Sequence, residues 1–168
     1  ICNPELTYSV NKFQTGCGTV DIMMHTLERY FSPTKDTMLT DRIAEGLLKT
    51  VIEAGTAADQ KPDDYEARAS LMWAGSLSHN NLTSAGRTFL MQVHQLEHEL
   101  SGMYPRIAME PVCLLCALLG KIRLPCRPER FARYAVRLEL EMGFENPMNT
   151  ALAGIQQPRI SSRAWECR

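Results

Sequence analysis

Two pairs of polar residues in this chain are spaced as ligands of a single ion would be. Asp21 precedes His25 by four positions, and His94 precedes His98 by the same interval, in a chain with only four histidines. Residues four positions apart lie on the same face of a helix, so each pair can direct its polar atoms towards one point. A carboxylate and imidazoles that converge from two helices favour a divalent metal site, and this donor set suits zinc and ferrous iron equally well.

Each of these residues also has a plainer interpretation when taken alone. Asp21 could be a charged residue on an otherwise apolar helix face, although it would be costly to bury without a partner, and His25 could be a hydrogen-bonded core histidine. Their coincidence with the second pair favours the metal site. The remaining histidine, His79, lies in a loop-like run of polar residues and is predicted to be solvent-exposed. Glu97 and Glu99 flank the second pair, and we expect them to be solvated or to lie outside the ligand shell.

The composition is that of a globular domain. The chain has 168 residues, of which 45% are hydrophobic, and a net charge of −1, so it is long enough to bury a core as one domain. The balanced charge predicts no nucleic-acid or acidic-membrane partner, and no apolar run approaches the roughly 20 residues of a membrane span. A start at Ile1, with no Met and no secretory signal, predicts a cytoplasmic chain that begins within a longer gene product.

The six cysteines do not form a regular framework. Their spacing is irregular, and without an export signal they are predicted to be reduced. Cys113 and Cys116 form a single CxxC pair in apolar sequence. A zinc ribbon needs a second such pair, so the sequence does not predict one.

Apolar residues recur with the helical period, and no useful length of the chain alternates with period two. Helices are therefore predicted over residues 15–31, from Asp36 or Thr37 to residue 58, and over 64–77, 88–103, 130–141 and 149–157. Residues 3–14 are expected to form a loop or short strand, and residues 80–86 a loop. The prediction is an all-α fold without internal repeats.

Several strings of residues resemble the iron-containing alcohol dehydrogenases, in particular their NAD(P)-dependent butanol dehydrogenase branch. They are Asn3-Pro4-Glu5-Leu6-Thr7, Gln14-Thr15-Gly16-Cys17-Gly18, Asp21 to His25, Asp64-Tyr65-Glu66-Ala67-Arg68-Ala69, Leu71-Met72-Trp73-Ala74 and His94-Gln95-Leu96-Glu97-His98-Glu99-Leu100. The resemblance covers most of residues 3–108 and returns in residues 128–154. It implies an all-α, dehydroquinate synthase-like domain over residues 1–157, similar to the C-terminal helical half of that family.

The resemblance also implies a function and a set of site residues. The family joins a nucleotide-binding half to a metal-binding helical half, and only the helical half is recognisable here, so this chain is not expected to hold NAD(P) by itself. By the match, Asp21, His25 and His94 take the metal-ligand positions, with iron or zinc as the metal. His98 falls on a histidine beside the metal, with a catalytic, proton-handling role. The implied reaction transfers a hydride between NAD(P) and a small primary alcohol or aldehyde, and a family-like homodimer is implied as well.

The chain departs from the family in two places. The family's fourth ligand is a histidine in an Ala-His-Gly-Ala-Gly loop, and residues 109–119 contain no histidine. Back-translating that segment and residues 158–168 in a frame shifted by one base can restore family-like sequence. We therefore expect a frame error or a decayed gene, which would make Cys113, Cys116 and Cys167 accidents of translation. The alternative is a diverged loop followed by a natural terminus.

Two functional hypotheses follow from these observations. The first is a fragment of a metal-dependent alcohol dehydrogenase that is inactive by itself. The second is a non-catalytic helical protein that reuses the domain for binding or assembly, and it predicts a stable fold without metal. Poor solubility is also expected, because missing downstream helices would leave an apolar face exposed.

Overall fold

The computed structural model describes residues 1–103, 127–138 and 147–156. The chain divides into two compact units, Ile1–Val112 and Cys113–Arg168. The described residues form helices and contain no strand, which confirms the predicted all-α class. Residues 109–119 and the tail 158–168, for which a frame error is predicted, lie outside the described residues.

Helices follow one another along both units. The described part of the first unit contains a 3-10 helix at Pro4–Thr7, α1 at Lys12–Tyr30, α2 at Met38–Gln60, α3 at Tyr65–His79, a second 3-10 helix at Leu82–Ser84 and α4 at Gln92–Met103. The second unit contributes α5 at Pro128–Arg137 and α6 at Pro147–Gln156, which pack against each other. None of the described helices is long and apolar enough to cross a membrane.

Polar side chains determine where α1 and α3 begin. Asn11 accepts a hydrogen bond from the backbone N–H of Gln14 at 2.8 Å, and Asp64 accepts one from that of Ala67 at 3.0 Å. Each side chain satisfies an N–H that has no partner within its helix. For this reason α1 begins at Lys12 rather than at the predicted position 15, and the expected loop or strand before it contains a 3-10 helix instead.

The core of the first unit lies between α1, α2 and α3. Its buried residues on α2 and α3 combine aliphatic and small side chains: Leu47, Val51, Ala54, Ala58, Ala67, Leu71 and Ala74. Ile22 and Met23 of α1 pack against this cluster. A Cβ atom added to Gly75 would lie 3.4 Å from the terminal methyl group of Ile22, so the glycine lets α3 approach α1 closely. This contact brings the C-terminal end of α3 beside the middle of α1.

The start of α4 differs from the prediction. The helical pattern indicates a start at position 88, but α4 begins at Gln92. The backbone N–H of Thr88 donates to the hydroxyl oxygen of Thr34 at 2.9 Å, and the guanidinium of Arg87 forms an ion pair with Asp41 at 2.6 Å. These tertiary contacts hold the preceding segment outside the helix and override its helical propensity.

Candidate metal centre

One face of α1 carries most of the residues at the candidate metal centre. Asp21, His25, Glu28 and Arg29 occupy positions i, i+4, i+7 and i+8, which lie on the same face of a helix. Asp21 and His25 are half-buried, whereas Glu28 and Arg29 are buried. The spacing that pairs Asp21 with His25 therefore continues for another turn as a polar stripe inside the protein.

Asp21, His25 and His94 bring their possible ligand atoms within 4.8 Å of one another. Asp21 Oδ1 lies 3.4 Å from His94 Nε2 and 3.8 Å from His25 Nε2. The centroids of the two imidazole rings are 4.1 Å apart. The structure thus brings together the three residues that the sequence singles out as metal ligands, two from α1 and one from α4.

Two buried imidazole nitrogens in this cluster have no hydrogen-bond partner. His94 Nε2 faces Asp21 but makes no hydrogen bond, and His25 Nδ1 also has none. Leaving a buried polar atom unpartnered costs about 1–3 kcal/mol. A divalent cation between the carboxylate and the imidazoles would give His94 Nε2 a partner, and one oxygen with two nitrogens is a donor set that zinc and ferrous iron accept. The residues present therefore fit such an ion.

Glu28 orients His94 from the side opposite the cluster. Its Oε1 accepts from the backbone N–H of Val93 at 2.7 Å, and its Oε2 accepts from the backbone N–H of His94 at 3.4 Å and also contacts His94 Nδ1. The carboxylate acts as a cap for α4, because it satisfies N–H groups at the positive end of the helix dipole. Since Nδ1 donates a hydrogen bond to Glu28, Nε2 is the nitrogen of His94 that can bind an ion.

The two histidines of the cluster differ in charge when no metal is bound. Burial lowers the pKa of His25 to about 4, and the neighbouring imidazoles of His94 and His79 also lower it, whereas the carboxylate of Asp21 acts in the opposite direction. Burial also disfavours charge on His94, but the neighbouring carboxylates of Asp21 and Glu28 outweigh it and raise the pKa of His94 to about 9. Burial pushes the pKa of Asp21 upwards, but the neighbouring imidazoles, led by His94, hold it below its ordinary value.

His98, the fourth residue of the predicted constellation, stands apart from this cluster. Its side chain is 74% exposed, and the centroid of its ring is 6.4 Å from that of His94. Its Nε2 lies 3.6 Å from a carboxylate oxygen of Glu97. Glu97 is itself buried and accepts a hydrogen bond from Ser101, so it is not solvated, whereas Glu99 is exposed.

His79 reaches the centre, which the sequence did not predict. It is the last residue of α3 rather than part of a loop. Its side chain is 44% exposed, in agreement with the predicted exposure, but its Nε2 lies 3.2 Å from Asp21 Oδ2. The centroid of its ring is 3.9 Å from that of His25. No local pattern signals this approach, because the two residues that meet are 58 positions apart.

Glu28 was also missed by the sequence reasoning, although a signal for it existed. It follows Asp21 by seven positions, so it lies on the helix face that bears the ligand pair. A carboxylate on that face, close to a helix that carries a histidine, is a common partner for the second ring nitrogen of a metal-binding histidine.

An all-helical fold with one carboxylate and two imidazoles drawn to one point defines a candidate metal-binding helical domain. A family model described as Fe-containing alcohol dehydrogenase family, C-terminal, matches residues 15–159 of the chain. The protein belongs to this family, and the resemblance found in the sequence is confirmed.

Proteins similar to this chain include oxidoreductases. NADH-dependent butanol dehydrogenase B of Clostridium acetobutylicum is 54% identical over 104 residues, which are 62% of this chain and 27% of that protein. The NADPH-dependent aldehyde reductase YqhD of Escherichia coli is 32% identical over 138 residues, which are 82% of this chain and 36% of that protein.

Solved structures of this group share the fold. The substrate- and cofactor-free form of YqhD matches with a TM-score of 0.86 at 30% identity, over 94% of this chain and 41% of that one. NADH-dependent butanol dehydrogenase A of Thermotoga maritima matches with a TM-score of 0.83 at 29% identity, over 94% of this chain and 40% of that one. The chain therefore spans well under half the length of the relatives it matches.

Proposed function

We propose that this chain is the metal-binding helical part of an NAD(P)-dependent alcohol dehydrogenase that transfers a hydride between NAD(P) and a small primary alcohol or aldehyde. Family membership supports the reaction type, and the relatives named as butanol dehydrogenases and aldehyde reductase support the substrate class. The observation that carries the proposal is the convergence of Asp21, His25 and His94 within 4.8 Å.

The three side chains would hold a divalent cation, either iron or zinc. Such an ion supplies Lewis acidity to an alcohol or aldehyde oxygen. Asp21 contributes the negative charge that a dication requires, and His25 contributes a ring that is already neutral, because its pKa is about 4. Glu28 keeps the ring of His94 in place with Nε2 directed into the cluster.

His98 is the proposed proton-handling residue. Its exposed ring lies beside His94, and an imidazole with access to solvent can pass a proton between water and a reacting hydroxyl group. A carboxylate oxygen of the neighbouring Glu97 lies 3.6 Å from its Nε2.

The remaining parts of the proposal concern cofactor binding, activity, location and assembly. Residues 1–168 contain no glycine-rich phosphate loop, so we infer that they neither bind NAD(P) nor oxidise alcohols by themselves. A cytoplasmic location and a homodimer complete the proposal, and the homodimer rests on the family resemblance.

Titration of the full chain with Zn²⁺ or Fe²⁺ tests the metal site. The wild-type chain should bind about one ion and melt at a higher temperature when the ion is in excess, with a stabilisation of about 2.7 kcal/mol at a hundred times the dissociation constant. The Asp21→Ala variant should lose most of this shift, because it removes the only carboxylate of the cluster. Asp63→Ala, which removes an exposed carboxylate just before α3, is the matched control and should behave as the wild type.

A cooperative melt that metal leaves unchanged in all three proteins would contradict the proposal. That result would favour the alternative, a non-catalytic helical protein used for binding or assembly. A separate assay of NAD(P) reduction by a primary alcohol, with metal added, tests inactivity. Turnover by residues 1–168 alone would refute the inactivity without affecting the metal site.

A further inference from the structure

We propose that His79 is a positioning residue for the metal centre, which holds Asp21 in the orientation that directs one carboxylate oxygen at the ion. This inference rests on the proposed metal site and extends it to a residue outside the ligand set. It starts from the contact between His79 Nε2 and Asp21 Oδ2 at 3.2 Å.

The two oxygens of Asp21 face different partners. Oδ1 lies 3.4 Å from His94 Nε2 and 3.8 Å from His25 Nε2, so it is the oxygen inside the ligand cluster. Oδ2 faces His79. A carboxylate that is held through one oxygen cannot rotate freely about its Cβ–Cγ bond. The other oxygen therefore keeps its direction.

His79 is itself fixed on its second nitrogen. Its Nδ1 lies 2.8 Å from the hydroxyl oxygen of Ser78 and 2.9 Å from the carbonyl oxygen of Gly75. Ser78 is completely buried, and its hydroxyl group donates to the carbonyl oxygen of Gly75 at 2.9 Å. The last turn of α3 therefore holds the ring at Nδ1, while Nε2 faces Asp21 Oδ2.

The end of α3 that carries His79 is attached to α1. The guanidinium of Arg29 donates to the backbone carbonyl of Ser78, to the hydroxyl oxygen of Thr83 at 3.2 Å and to the side-chain oxygen of Asn81 at 3.4 Å. Because Arg29 and Asp21 lie on the same face of α1, this anchor fixes His79 relative to the ligands.

The ring of His79 also packs against a ligand. Its centroid is 3.9 Å from that of His25, with 48° between the ring planes. His79 is not a member of the described group whose ligand atoms all lie within 4.8 Å of one another. It therefore acts from outside the ligand shell, on Asp21 by a hydrogen bond and on His25 by contact.

Cobalt titration of the full chain tests this role, because Co²⁺ reports both affinity and ligand environment through its visible absorption. His79→Ala should weaken Co²⁺ binding by about 10–100-fold, the usual effect of losing a hydrogen bond to a ligand. His79→Gln, whose side-chain N–H can donate to the same oxygen, should restore most of the affinity. Ser76→Ala changes an exposed residue in the last turn of α3 and should match the wild type.

The spectrum separates positioning from ligation. At saturating Co²⁺ the absorption bands of His79→Ala should keep their wild-type positions, because the ligands are unchanged. Equal affinity of wild type and His79→Ala, failure of His79→Gln to rescue, or a band shift that shows a lost nitrogen ligand would each overturn the inference. Absence of Co²⁺ binding by the wild type is a different result, which removes the proposed metal site and this inference with it.

Discussion

His94 and His25 face the same carboxylate oxygen but carry different charges, and the difference comes from their second nitrogens. His94 Nδ1 contacts the buried carboxylate of Glu28, whereas His25 Nδ1 has no hydrogen-bond partner. Asp21 and Glu28 both stabilise a proton on His94, whereas Asp21 is the carboxylate that does so on His25. In the metal-free protein His94 is protonated near neutral pH, and a cation that binds to its Nε2 would displace that proton.

Metal affinity should therefore rise with pH. Below the His94 pKa of about 9 the ring is protonated, and an ion must displace that proton to reach Nε2. His25, with a pKa of about 4, is already neutral across this range. The association constant for Zn²⁺ should increase about tenfold per pH unit up to about pH 9 and then level off.

Calorimetric titration in buffers with different ionisation enthalpies measures the protons released on binding. About one proton per ion is expected near pH 7. An affinity that is constant over the same range, or a release of no protons, would show that His94 is not protonated in the metal-free centre.

At the level of helices, α1 and α4 are joined through Glu28. Neither helix has a ligand set of its own, since Asp21 and His25 lie on α1 and His94 lies on α4. The Glu28 carboxylate binds the first turn of α4 and the ring of His94 together. The geometry of the centre therefore depends on where α4 begins.

Replacing Glu28 by Gln should loosen this junction. The amide can accept only through one oxygen, so at least one buried N–H group loses its partner, at a cost of about 1–3 kcal/mol in the free energy of unfolding. Zn²⁺ affinity should fall by about 10–100-fold, because the orientation of His94 is no longer held. Thermal melting of the metal-free chain and competition with a chelator measure the two effects.

Glu66→Gln is the control for this substitution. It makes the same chemical change at an exposed position in the first turn of α3, and it should alter neither quantity appreciably. Equal Zn²⁺ affinity of Glu28→Gln and Glu66→Gln would mean that Glu28 serves the fold alone.

In the molecule as a whole, a buried ion pair attaches the segment that precedes α4. Arg87, just before α4, pairs with Asp41 of α2 at 2.6 Å, and both side chains are almost inaccessible to solvent. The guanidinium of Arg87 also donates to the carbonyl of Arg29 at the end of α1. Arg87 thus attaches the segment before α4 to both α1 and α2.

Arg87→Met should destabilise the protein strongly. The substitution removes the guanidinium that pairs with the buried carboxylate of Asp41, and breaking a buried ion pair from one side typically costs about 3–5 kcal/mol. Lys12→Met breaks an ion pair of 3.8 Å with Asp59 in which the lysine is 61% exposed, and it should cost less than about 1 kcal/mol. Urea unfolding of the two variants measures the difference, and similar midpoints for both would show that the buried pair does not hold the fold.

Sequence patterns were sufficient to predict the helices that have a clear apolar face and recognisable ends. The prediction for α3 ended at residue 77, close to His79, because Asp64 caps its start and the apolar repeat marks its length. The prediction failed at the start of α4, where Thr34 and Asp41 hold the preceding segment, since contacts made by distant residues leave no local signal.

The sequence by itself determined the helical class, the family and the pairing of Asp21 with His25, because these depend on the order and spacing of residues along the chain. Only the tertiary structure decided which other side chains join that pair. His94 enters the cluster and His98 does not, although both lie on α4, because only His94 faces Glu28 and Asp21. His79 of α3 contacts Asp21 because Gly75 lets that helix pack closely against α1. The periodicity of residues within one helix does not indicate which other helix it will contact.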